Sequence, residues 1–169
     1  MNIVLIGYRG TGKSIVGSIL SSQLNMPCIS MDSQIIEKAG MSIPEFVEQF
    51  GWDRFRDLES EIALDLSKKD QIIIDTGGGV IERPINIENL EHNAIIFWLQ
   101  ASVDVIISRI QDGSDRPALT SGKTFIEEIS EVLERRTPKY QAAAKYIIKT
   151  DDLDPEQVAQ QVLNQIRLQ

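Results

Sequence analysis

Short apolar runs alternate with amphipathic stretches along the chain. The runs are "NIVLI" (2–6), "PCISM" (27–31), "QIIID" (71–75), "AIIFWL" (94–99) and "KYIIK" (145–149). Continuous apolar runs of this length, separated by helical stretches, predict a parallel sheet buried on both faces. Between them, Ile15, Val16, Ile19, Leu20 and Leu24 recur at helical spacing, and so do Ile62, Ala63, Leu66 and Val105, Ile106, Ile110. Those helices are expected to cover the two faces. Helix starts are legible at Ser42 with Glu45, at Thr124 with Glu127, and at Asp154, where Pro155 takes the first helical position and Gln157 follows. The last of these opens a helix carrying Val158, Val162 and Ile166. The clearest polar, turn-rich interruption is "QDGSDRPALTSGK" (111–123), the expected place of a mobile lid.

The 169 residues suit one α/β domain over 1–169, which at this size buries roughly 70% of the surface its unfolded chain exposes. A net charge of −8 argues against nucleic acid or an anionic membrane surface as the main partner, because both repel an acidic protein. Any bound anion must then be held by a local positive site. The start "MNIVLIGYRG" has no basic segment and only a short apolar run, so neither a signal peptide nor a membrane span is expected there, and the location expected is cytoplasmic. One cysteine, Cys28, and one histidine, His92, rule against an internal disulfide, a His-based metal cluster and a Cys/His catalytic pair. Cys28 is expected to be a buried structural thiol and His92 a surface residue.

The chemistry begins at "GYRGTGKS" (7–14), where Gly7, Gly12, Lys13 and Ser14 satisfy the P-loop pattern between an apolar strand and a helical stretch. Glycines are needed because backbone N–H groups must wrap phosphates in conformations that a side chain would obstruct, with the helix N-terminus adding its dipole. Gly10, Thr11, Gly12, Lys13, Ser14 and Ile15 are the expected nucleotide contacts, Lys13 bridging the β- and γ-phosphates and Ser14 binding Mg²⁺. A dinucleotide fingerprint fails, since Ile15 stands where its third glycine belongs. The second "GKT" (122–124) is a decoy, with Pro117 five positions before Gly122.

A P-loop announces a nucleoside triphosphate and leaves the acceptor open. Four polar clusters remain: Asp32 after the second strand; Phe55, Arg56 and Glu59; the triple glycine Gly77, Gly78, Gly79 after the third strand; and Arg135, Arg136 and Tyr140. Ligands of open parallel sheets sit beyond the carboxyl ends of the strands, so Asp32 and Gly77 to Gly79 should face the cradle. Arginine forks match a carboxylate and an aspartate orients alcohols, so the set suits a small acceptor bearing both. Plainer roles stand beside these: Asp32 as a helix N-cap, the glycines as a tight turn, Arg135 as a solvated helix charge, and Phe46, Trp52 and Phe55 as core, with Phe55 able to serve both core and site.

Over nearly its whole length the sequence resembles the shikimate kinases. In order come "GYRGTGKS", the Asp before the second helix, "FRDLE", the triple glycine, "RP" in the lid and "RTPKY" before the last strand. The resemblance implies a three-layer P-loop kinase fold with a five-stranded parallel sheet in the order 2-3-1-4-5, helices on both faces and a mobile lid. It implies ATP and shikimate as small-molecule partners, Mg²⁺ as cofactor, phosphorylation on the 3-hydroxyl, and a monomer. By the same resemblance shikimate's carboxylate would meet Arg56 and Arg136, and its hydroxyls Asp32 and the Gly77 to Gly79 turn. The acceptor region would span about 32–60. Arg116 in "DRPAL" would swing over the phosphates and Arg109 would stack near adenine; Lys13, Asp32 and Arg116 would be catalytic. The chain departs from the family at Ser30, where an acid usually helps hold hydrated magnesium. Asp75, ending the "IIID" strand, is expected to take over through water. Other readings are a gluconate or nucleotide kinase of the same fold, or a nucleotide-binding regulator without transfer activity. Lys13, Ser14, Asp32 and Arg116 together speak against the regulator.

Overall fold

The structure is a computed structural model that describes residues 1–110 and 124–168. The expected lid, 111–123, and Arg116 within it lie outside the described residues.

The chain runs β1 (Asn2–Ile6), α1 (Lys13–Leu24), β2 (Cys28–Ser30), α2 (Met31–Ala39), α3 (Ile43–Ser67), β3 (Ile73–Asp75), a 3₁₀ turn (Val80–Glu82), α4 (Pro84–Glu91), β4 (Ala94–Gln100), α5 (Val103–Ile110), α6 (Phe125–Ala143), β5 (Tyr146–Lys149) and α7 (Pro155–Arg167). The strands form one parallel sheet in the order β2-β3-β1-β4-β5. Strand side chains alternate between faces, and each face has its own core. Val4, Ile6, Ile74, Ile96 and Trp98 pack with Met31, Ile35, Phe55 and Ile62 from α2 and α3. On the other face Ile3, Leu5, Ile73, Phe97 and Leu99 pack with Val16 and Leu20 of α1 and Val158 and Val162 of α7. Burying each such side chain contributes about 1.5–3 kcal/mol, and strands covered on both sides are apolar along their middles, with buried Asn2 and Asp75 at strand ends. That is why the runs read as they do.

Capping boxes close the starts of α3 at Ser42/Glu45, α6 at Thr124/Glu127 and α7 at Asp154/Gln157. The structure differs from the pattern-based expectation in several places. Strand β2 is only three residues long, because Ser30 caps α2 and Met31 is already helical. Helix α4 has little periodic apolar signal. Helix α6 continues through Pro138, so "RTPKY" is helical. Ile15 turns its side chain outward, 58% exposed, rather than into the core. Cys28 is half-buried rather than fully buried. Its sulfur lies where a Cβ on Gly17 would stand only 2.8 Å away, and burial together with the nearby Asp75 carboxylate pushes the thiol up to about 11. It is an unreactive packing group. His92 is exposed. Among the described residues no helix is long and apolar enough to cross a membrane.

Helix α3 is bent where Gly51 leaves helical geometry (φ 83°, ψ 168°), so its first turns and the segment from Trp52 onward follow different directions. The second segment carries Trp52, Phe55, Arg56 and Glu59 to the carboxyl end of the sheet.

Candidate active site

Register brings the carboxyl ends of three strands level, with Leu5 and Ser30 both opposite Asp75. The loop from Gly7 to Gly12 leaves β1 there. Gly12 sits at φ 91° immediately before α1, a left-handed conformation that an L side chain rarely adopts. Thr11 donates its hydroxyl to the Tyr8 carbonyl at 2.8 Å, and the Lys13 ammonium donates to the carbonyls of Gly7 at 2.8 Å and Tyr8 at 3.0 Å. Lys13 is thus folded along the loop with its charge at the mouth of the helix. Ser14 donates to Asp75 at 2.6 Å. Arg9, Gly10, Gly12, Lys13, Ser14 and Ile15 line the cradle from one side, and Ser30, Asp32, Asp75 and Thr76 from the other.

A second pocket opens next to it, lined by Tyr8, Arg9, Asp32, Trp52, Phe55, Arg56, Glu59, Gly78, Gly79 and Arg136 among others. Arg56 binds Glu59 at 2.7 Å, one helical turn on, and its guanidinium lies 5.5 Å from the Trp52 ring and 5.1 Å from the Phe55 ring. Burial pushes the Glu59 carboxyl above its ordinary range against the pull of Arg56. The triple glycine is a close approach as well as a turn. A Cβ on Gly77 would come within 3.1 Å of Asp32 Oδ1, and one on Gly79 would overlap the Arg56 guanidinium. From the far side α6 supplies Arg136, 3% exposed, whose Nε donates to Glu82 at 2.6 Å, and Tyr140, whose hydroxyl donates to the Gly78 carbonyl. Among the described residues, Arg9 and Asp32 are shared by the linings of the two pockets. They stand at the border between the two.

The model of the shikimate kinase family matches residues 9–167. The chain is 40% identical over 165 residues to the shikimate kinase of Thermodesulfovibrio yellowstonii, covering 97% of this chain and 94% of that one. The chain belongs to the shikimate kinase family. Among solved structures it is similar to the shikimate kinase of Acinetobacter baumannii in complex with shikimate, with a TM-score of 0.92 at 30% identity over 98% of this chain and 92% of the other. It is likewise similar to the shikimate kinase of Aquifex aeolicus, with a TM-score of 0.83 at 31% identity over 99% and 96%. The sheet order and P-loop place are those of the kinase fold expected from the sequence.

Within this kinase, Asp32 is not the helix cap that one reading allowed. Ser30 caps α2, its hydroxyl accepting from the Ser33 N–H at 3.3 Å, and Asp32 lies in the first turn with its side chain lining both pockets. Arg135 is not merely a solvated charge either: though 56% exposed, it pairs with Glu82 at 3.0 Å. Arg109 is exposed and braces the cradle from outside, donating to the Gly10 carbonyl at 3.2 Å and to the Thr150 carbonyl at 3.1 Å. Phe55 serves both core and pocket wall, and Trp52 lines the pocket from a partly buried position. Tyr8, Arg9, Glu82 and Glu128 belong to the site region without having been singled out in the sequence. Glu82 carries no local signal, its arginine being 54 residues away.

Among the described residues no group of three or more His, Cys, Asp or Glu side chains could hold a metal ion. The Ser14 and Asp75 oxygens, 2.6 Å apart at the cradle, are hard donors of the kind Mg²⁺ takes. Mg²⁺ keeps several waters and uses few protein ligands, so this oxygen pair fits it.

Proposed function

We propose that the protein transfers the γ-phosphoryl group of ATP to the 3-hydroxyl of shikimate, as a cytoplasmic monomer whose single kinase domain spans 1–169. One observation carries this reading: the pocket that holds Arg56 and Arg136 shares Asp32 and Arg9 with the phosphate cradle. Arginines bind a carboxylate, and a carboxylate at the junction receives a hydroxyl proton; an acceptor carrying both a carboxylate and a hydroxyl satisfies the pair.

Gly10, Thr11, Gly12 and Ile15 hold the triphosphate, and Lys13 neutralises charge on the phosphate being transferred. Arg56 and Arg136 grip shikimate's carboxylate, while the Gly77 to Gly79 backbone holds its other hydroxyls. Asp32 orients the 3-hydroxyl and accepts its proton. Most of the rate enhancement then comes from positioning and charge neutralisation. Arg109 contacts the nucleotide side, and Arg116, in the segment 111–123, joins Lys13 on the phosphates. Ser14 would hold Mg²⁺, with Asp75, in place of the family acid at position 30, supporting it through water. Held there, Mg²⁺ would supply positive charge that offsets the charge on the phosphates.

A coupled ADP-release assay with shikimate, gluconate and nucleoside monophosphates tests the acceptor. Turnover with shikimate far above the others is expected. Faster turnover with gluconate or a nucleotide would overturn the proposal.

A further inference from the structure

Arg135, Arg136 and Lys139 all converge on the carboxylate of Glu82. Its Oε1 accepts from Arg136 Nε at 2.6 Å and from Arg135 Nη2 at 3.0 Å, and its Oε2 accepts from Lys139 Nζ at 2.9 Å. Glu82 ends the 3₁₀ turn that follows the triple glycine, whereas the three cations stand on α6. The carboxylate therefore ties the acceptor turn to the helix that carries Arg136, beside the Tyr140 hydrogen bond to Gly78.

Two physical demands meet here. A guanidinium as deeply buried as that of Arg136 needs a charged hydrogen-bond partner to hold it in one orientation, and Glu82 supplies it at the Nε edge. A single carboxylate would also cancel the positive charge needed to attract an acceptor anion. Arg135 and Lys139 offset this, because three cations around one carboxylate leave the cluster positive. Burial acts to raise the Glu82 carboxyl, but hydrogen bonds from Arg136, Lys139 and Arg135 outweigh it and hold the acid down to about 2, so the group is ionised throughout the physiological range.

We propose that Glu82 is a positioning residue for acceptor recognition, fixing Arg136 by its Nε edge while Arg135 and Lys139 offset its charge and leave Arg136 positive toward an acceptor carboxylate. This rests on the reading that Arg136 grips the carboxylate of shikimate.

Glu82→Gln keeps the shape and removes the charge. Its KM for shikimate should rise about five- to twentyfold, with KM for ATP within about twofold, while the thermal midpoint at neutral pH falls because the carboxylate's stabilising contribution is lost. A purely structural role would move both KM values together. Two controls isolate the route. An acceptor analogue whose carboxylate is replaced by a carboxamide should bind parent and Glu82→Gln alike, and in the Arg136→Ala background Glu82→Gln should add nothing. Normal shikimate affinity in Glu82→Gln, with affinity lost in Arg136→Ala, would overturn this inference alone. Normal affinity in Arg136→Ala would overturn the reading of Arg136 and this inference with it. Should Glu82→Gln fail to fold, the Arg135→Ala/Lys139→Ala double variant keeps the central pair intact. It should lose about two- to fivefold in shikimate affinity at low salt, a loss that fades by roughly 0.5 M salt; no loss, or one indifferent to salt, would overturn the charge-offset role.

Discussion

The phosphate cradle and the acceptor pocket share a border but are built on opposite plans. The cradle is one unbroken stretch, Gly7 to Ser14, held mainly by its own backbone: Lys13 and Thr11 bind carbonyls within six residues of themselves. The pocket is assembled from α2, the bent α3, the glycine turn and α6, and one of its arginines, Arg136, is held by Glu82, 54 positions away in sequence. A phosphate is a generic anion that a local nest of N–H groups can hold. A substituted ring needs groups converging from several directions, which only a folded chain can supply. The cradle should therefore fail in catalysis when damaged, and the pocket in acceptor binding.

Lys13→Met should break the comparison on the cradle side, lowering kcat on the order of 10²- to 10³-fold, as for removal of one preorganised donor. Single-turnover kinetics check it, and a rate close to the parent's would remove Lys13 from the chemistry. On the pocket side, Arg136→Ala deletes one partner of a buried charged pair, a loss of roughly 2 to 5 kcal/mol, so shikimate affinity should fall at least about thirtyfold with ATP affinity little changed. Titration calorimetry with each ligand separates the two, and Arg135→Ala should do much less.

Asp75→Asn probes the border. It retains shape and polarity and deletes the charge facing Ser14, so the Mg²⁺ concentration for half-maximal activity should rise roughly tenfold while shikimate affinity holds, and Ser30→Asp should partly restore it. An unchanged Mg²⁺ midpoint in a folded variant would leave Asp75 with only the turn to support. Gly79→Ala sharpens the pocket side. The new methyl overlaps the Arg56 guanidinium, which must shift, and shikimate affinity should drop about fivefold.

The smallest expected effect is on acid stability. The folded protein holds the Glu82 acid below its ordinary value, so its stabilising contribution is complete above about pH 4.5 and is lost as pH falls toward about 2. Denaturant melts of the parent should weaken across that window, and those of Glu82→Gln should weaken less.

Much of the molecule was legible because its signals are local. Continuous apolar runs named the five strands, three capping boxes named helix starts, and the glycine spacing of residues 7–14 named the cradle. Family resemblance pointed to Asp32, Arg56, the triple glycine and Arg136; the fold gathers Asp32, Arg56, Gly78, Gly79 and Arg136 around one pocket, while Gly77 packs close to Asp32 and Glu59. Other features depended on packing. Pro138 inside α6 and the bend at Gly51 depend on what each helix lies against, and propensity alone opposes the first. Whether Asp32 or Ser30 caps α2 turned on where β2 stops, a matter of sheet pairing with Asp75.

What the sequence by itself determined was therefore whatever a run of neighbours can encode: strand, helix start, phosphate nest and the chemical types of the side chains that line the second pocket. What only the tertiary structure decided was which of those side chains meet. Glu82 and Arg136 attract because folding carries both out of bulk water and within hydrogen-bonding distance, and that proximity has no counterpart in residue spacing.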